Sequence, residues 1–104
     1  MSAPATEFLV LLRPVRAGMV VDGPLPEELP VLAAHRAWLE QMASEGRVVL
    51  AGRTREADPS TFGIAILRAA SDAEAREIAG RDPAVAGGLM TAQVRPFRIA
   101  VGGG

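Results

Sequence analysis

The chain has no cysteine, no lysine and no tyrosine, and it has one histidine and one tryptophan. Without cysteine, disulfides, thiolate nucleophiles and cysteine-based metal sites are excluded. Aromatic residues make up only 4% of the 104 residues, so Ala, Val, Leu and Ile must fill the core. All 11 cationic residues are arginines, interspersed with acids to a formal net charge of −1, and no block of one sign stands out. Nonspecific nucleic-acid binding needs a basic surface and is not expected. No apolar run approaches the roughly 20 residues of a membrane span. The opening MSAPATEF lacks the charged and apolar regions of a signal peptide. The expectation is a cytoplasmic protein without membrane or nucleic-acid partners. One histidine speaks against a transition-metal site, and neither a phosphate-cradling loop nor a dinucleotide fingerprint occurs, so no metal and no cofactor are expected.

What is present suits one domain over residues 1–104, with flexible ends at 1–6 and 102–104. With 49% apolar and 22% charged residues, the chain has the balance of a globular protein. Residues 28–52 organise it. Leu32, His35, Leu39 and Met42 recur at helical spacing, with Val31, Ala34 and Trp38 beside them, while Arg36, Glu40, Gln41, Ser44 and Glu45 fall to the other side. Glu27 or Glu28 suits the helix start, and Gly46 its end. Strands are expected at 7–13, 47–51, 62–69 and 90–101. Ser71-Asp72-Ala73-Glu74 is a capping box that opens a second helix through about Ala79, and residues 84–88 form a further helical turn. Residues 16–30 carry Gly18, Gly23, Pro24, Pro26 and Pro30 and read as a loop with an apolar middle at Met19, Val20 and Val21.

The order strand–helix–strand–strand–helix–strand gives a four-stranded antiparallel sheet with both helices on one face. This is the ferredoxin-like α+β arrangement, with the first and third strands central. Pro96 cannot donate to a ladder, which puts the last strand at an edge. Leu9, Leu11 and Leu67 are assigned to the uncovered face. A bare apolar face of that size is rare in soluble monomers, so a homodimer through the sheet face is expected.

His35 is the first candidate for chemistry. An imidazole takes and returns a proton near neutral pH, but a core histidine bonded to a backbone carbonyl fits the same spacing. Asp82 is the best orienting partner, although an Asp before a Pro is also an ordinary cap for the next helical turn. No nucleophile accompanies them, so the chemistry is proton transfer rather than acyl transfer. Arg13, Arg53 and Arg55 lie at strand ends, where a guanidinium either grips a carboxylate or phenolate or stays solvated. Gly52 either lets the backbone approach a ligand or makes a turn.

FLVLLRP at 8–14, HRAWLEQM at 35–42, EGRVVLAG at 45–52, FGIAI at 62–66, SDAEAR at 71–76, RDPAVAGGL at 81–89 and VRPF at 94–97 together resemble the YciI-like (YCII-related) family. The resemblance implies a ferredoxin-like fold that pairs sheet to sheet into a dimeric α+β barrel. It also implies an active site with a His–Asp pair in a cleft, matching His35 and Asp82 in this sequence. It further implies kinship in fold with muconolactone isomerases and small cofactor-free monooxygenases, and, for one branch, dehydrochlorination of a chlorinated hydroxyquinol. Residues 16–30 are longer than in the shortest members. The expected function is acid–base chemistry of the lyase, isomerase or dehydrochlorinase kind on a small phenolic or organic acid. His35 and Asp82 are the catalytic residues, and Arg13, Gly52 and Arg53 bind substrate. The alternatives are a metabolite-binding or accessory module that turns nothing over, and a cofactor-independent oxygenase.

Overall fold

Residues 5–103 are described in the computed structural model of the chain. Strand β1 (Thr6–Pro14) leads through a single-turn helix α1 (Gly18–Val21) to the long helix α2 (Leu29–Ser44) and strand β2 (Val48–Arg53). Strand β3 (Gly63–Ala69), helix α3 (Asp72–Gly80), the short helix α4 (Pro83–Ala86) and strand β4 (Met90–Pro96) follow. All pairings are antiparallel, and the strand order is β2-β3-β1-β4. This is the expected α+β ferredoxin-like fold, with β1 and β3 central and Pro96 on an edge strand.

Of the lead-in expected at 1–6, residues 1–4 lie outside the described residues, and Thr6 is already in β1, paired with Ala69. At the other end Gly104 lies outside them, and Gly102 and Gly103 are exposed and irregular. The last strand stops at Pro96 instead of running to residue 101. Pro96 pairs with Phe8, and the Phe97 N–H still donates to the Glu7 carbonyl at 3.1 Å. Beyond that, β1 has too little strand left to pair with, so Phe97, Ile99 and Val101 alternate without a ladder and stay exposed.

Side chains alternate across a strand, and the register decides which face each takes. Phe8 pairs with Leu67 and Val10 with Ala65, so Leu67 lies under the helices, 1% exposed, and not on the bare face. The residues that do join Leu9 and Leu11 on the face away from the helices are Ile66 and Ile64, their pairing partners, with Ile66 4% exposed there. The reversal follows from an antiparallel register that the sequence pattern of an apolar strand cannot reveal. A register shift between Val48 and Leu50 turns β2 in the same way. Val48 is buried opposite Leu67, while Leu50 is 53% exposed opposite Ile66.

Helix α3 closes the core with Ala75, Ile78 and Ala79. The Ser71 side chain accepts the Glu74 N–H at 3.1 Å, as its capping box requires. Helix α2 packs differently. Every one of its residues keeps some exposure, and Ala34 is exposed outright. Trp38, Leu39 and Met42 rest on the core only in part. Gly46 ends the helix with φ +77°, the left-handed conformation that a Cβ disfavours. Because α2 stands off the sheet, a groove opens beneath it.

Candidate active site

His35 and Asp82 come together across 47 positions of sequence. His35 sits on α2, one turn on from Leu32, and Asp82 is the N-cap of α4. His35 Nδ1 lies 2.7 Å from Asp82 Oδ1 and 2.9 Å from Oδ2. The Asp82 side chain is almost wholly buried, whereas the imidazole keeps 16% exposure. Asp82 is also the cap that an Asp before a Pro suggests: its Oδ1 accepts the Ala84 N–H at 2.9 Å at the start of α4.

The close approach of α4 to α2 depends on a residue with no side chain. A Cβ on Gly87 would lie 2.8 Å from the Pro83 carbonyl oxygen and 3.2 Å from Val31 Cγ1 on α2. Gly87 therefore sets the spacing that brings the Asp82 cap within reach of the ring.

Beside the pair lies a groove of about 700 Å³ between α1, α2 and the end of the sheet. His35, Arg36, Glu40, Arg53 and Thr61 supply its polar lining, and Met19, Val20, Pro24, Leu32, Leu39 and Phe62 much of its apolar lining. A mostly apolar concavity with a few convergent polar groups is the usual form of a small-molecule site. Carboxylate engagement at Nδ1 fixes the tautomer with the proton on that nitrogen, which leaves Nε2 as the ring atom for a ligand.

Gly52 and Arg53 line the groove, but they are part of β2 and do not follow it: Gly52 pairs with Ile64 and Arg53 with Gly63. Arg13 is not among the lining residues. Leu12 faces the helices, so the next residue faces away, and the Arg13 guanidinium sits 5.5 Å over the Phe62 ring. It touches the groove wall from behind, as a cation–π contact. Arg36 and Glu40 line the groove although helical periodicity put them on the opposite side of α2. They were missed because the groove wraps round the helix towards α1, and a single helix pattern carries no sign of its neighbour. No group of three or more metal-ligating side chains occurs among the described residues. No helix among them is long and apolar enough to cross a membrane.

An arginine–glutamate ion pair flanks this site. The Arg16 Nε and Nη2 groups donate to the two Glu28 oxygens at 3.0 and 2.5 Å, and the Leu25 N–H donates to Oε1 at 2.7 Å. Those donors hold the Glu28 carboxyl below its ordinary pKa, the Arg16 guanidinium first and the Leu25 amide second. Glu28 thus begins α2 with its charge turned to α1 instead of capping its own helix.

A four-stranded antiparallel sheet of this order, backed by helices, defines an α+β protein of the ferredoxin-like fold, here with a His–Asp pair beside a groove. The chain belongs to the YCII-related domain family, which it matches over residues 7–98. It is similar in structure to 5-chloro-2-hydroxyhydroquinone dehydrochlorinase from Burkholderia phenoliruptrix AC1100, solved in complex with 2,5-dihydroxybenzoquinone. The TM-score is 0.62 and the identity 21%, over 88% of this chain and 93% of that one. At that identity the likeness speaks for the fold. No curated protein matches the chain by sequence.

Proposed function

We propose that this protein is a small-molecule enzyme in which His35, oriented by Asp82, moves a proton on a phenolic or quinonoid acid held in the groove. One observation carries the reading: the only histidine has one ring nitrogen locked to a buried carboxylate while its ring lines an open groove. Nε2 takes a proton from the substrate carbon or hydroxyl. The resulting imidazolium is stabilised by the Asp82 carboxylate, and the proton is then returned to solvent, to the leaving group or to a second substrate atom. In an elimination the bond to the leaving group breaks with its electron pair as the proton leaves; in an isomerisation the same proton returns elsewhere. Arg53 supplies a planar cation for the substrate's acidic edge, and the Gly52 backbone lets that edge come close.

The same reading includes a homodimer. Leu9, Leu11, Ile64 and Leu50 gather on the sheet face away from the helices. Leu50 and Ile64 also border the groove, so a second copy seated on that face would wall its outer side.

The first substrate to test is a chlorinated hydroxyhydroquinone, the class turned over by the structural neighbour. General acid–base help is worth ~10^2–10^4 in rate, so His35→Ala should lose about that much turnover while remaining folded. Full turnover in His35→Ala would overturn the mechanism. A ligand that raises the melting temperature but returns unchanged would identify a binding module instead.

A further inference from the structure

We infer that Arg16 and Glu28 are a positioning pair for the site, clamping both ends of the α1 segment so that Met19, Val20 and Pro24 form the wall that selects what reaches His35. Three features support this beyond the presence of an ion pair. Exposed ion pairs contribute little, but this one is bidentate and Glu28 is only 8% exposed. Its carboxylate also takes the Leu25 N–H, while the Glu28 N–H donates to the Leu25 carbonyl at 2.9 Å, so the far end of the segment is tied twice. The near end is tied by the Val15 N–H to the Leu89 carbonyl at 2.9 Å.

The third feature is Gly18. A Cβ there would overlap Nη1 of Arg16, so the guanidinium reaches Glu28 over the bare backbone of this glycine. Asp22 and Glu27 add to the field that holds Arg16 charged. Between the ties, Met19 is 7% exposed and fixed, and Val20 and Pro24 line the groove with His35. A clamp across 12 positions restricts the segment far more than its short helix could. Releasing the clamp frees the wall without touching the His–Asp pair.

This inference rests on His35 being the reacting group for its meaning in turnover, but its test does not. His35 is the only histidine, so carbethoxylation by diethyl pyrocarbonate, followed by the absorbance of the modified imidazole, reports access to that one ring. Rates measured across pH separate access from basicity: a freed wall raises the limiting rate at high pH and leaves the midpoint unchanged. Arg16→Ala, Glu28→Gln and Gly18→Ala should each raise the limiting rate several-fold, Gly18→Ala doing so with both charges retained. Arg16→Lys, which keeps the charge but not the fork, should fall between wild type and Arg16→Ala. Val21→Ala, at a half-exposed position on the same turn, should leave the rate unchanged. Trp38 fluorescence and a melting point well above the assay temperature establish that the variants are folded. Equal rates in wild type and all three clamp variants would overturn the inference. An equal rise in Val21→Ala would also overturn it, because general loosening would then explain the effect. Loss of catalysis in His35→Ala, or its retention, changes neither result.

Discussion

Asp82 holds two partners with one carboxylate, and the two roles come apart by substitution. Asparagine is as good an N-cap as aspartate. Asp82→Asn should therefore keep the bond from the Ala84 N–H and stability close to wild type, yet lose the charge that steadies a protonated His35. Asp82→Ala should lose both, with about 1 kcal/mol of stability going with the cap. Urea unfolding beside turnover reads the two roles separately. Glu28 responds to acid. The Arg16 guanidinium and the Leu25 amide hold its carboxyl below the ordinary value of 4.5, so its contribution is complete above that value and is lost as pH falls through the folded one. Amide protection factors within residues 17–27, each rate taken against the intrinsic rate at the same pH, should stay high above pH 4.5 and fall on further acidification. In Glu28→Gln they should already be low at neutral pH. An acid-insensitive segment in wild type would show that the pair does not hold it.

At the scale of elements, α2 and α4 hold the His35–Asp82 pair because Gly87, just after α4, leaves room for Val31 of α2. Gly87→Ala should push α4 from α2, since the added carbon would lie 3.2 Å from Val31 Cγ1 and would also crowd the Pro83 carbonyl within α4's own turn. The expected result is a weaker His35–Asp82 contact, seen as a changed imidazole proton resonance, with the core of α3 intact. Ser71→Ala is the contrasting case. It removes the bond to the Glu74 N–H and should cost about 1 kcal/mol, with no effect at His35, because α3 does not line the groove. If Ser71→Ala disturbed the imidazole as much as Gly87→Ala, the local account of α4 would fail.

For the whole molecule, the two faces of the sheet differ in what they tolerate. Leu67 is enclosed between β1, β2 and α3, and Leu67→Ala should cost about 2–5 kcal/mol, a large part of the stability of a domain of this size. Leu11→Arg on the opposite face should leave the fold stable and, under the proposed homodimer, yield a monomer by light scattering. Unfolding of Leu11→Arg would mean that this face is part of the monomer's own core. An unchanged mass with the charge in place would remove the sheet-face dimer.

The sequence by itself determined the element order apart from the single-turn α1, which it read as loop, and with it the ferredoxin-like sheet with Pro96 at its edge, the capping box at Ser71 and the suspicion that His35 was out of place on an apolar line. These are local matters: helical or strand periodicity, the missing proline N–H and the φ tolerance of glycine are written within a few residues. Tertiary structure alone decided that Leu67 lies under the helices and that Ile64 and Ile66 lie on the opposite face, because register is a relation between strands and both faces of β3 are apolar. It brought Asp82, the partner the sequence had already suggested, within 2.7 Å of His35, and it alone turned Arg13 away from the groove and brought Arg36 and Glu40 into it. It alone joined Arg16 to Glu28. Each of these depends on the distance between segments far apart in the chain, and no local pattern encodes that distance.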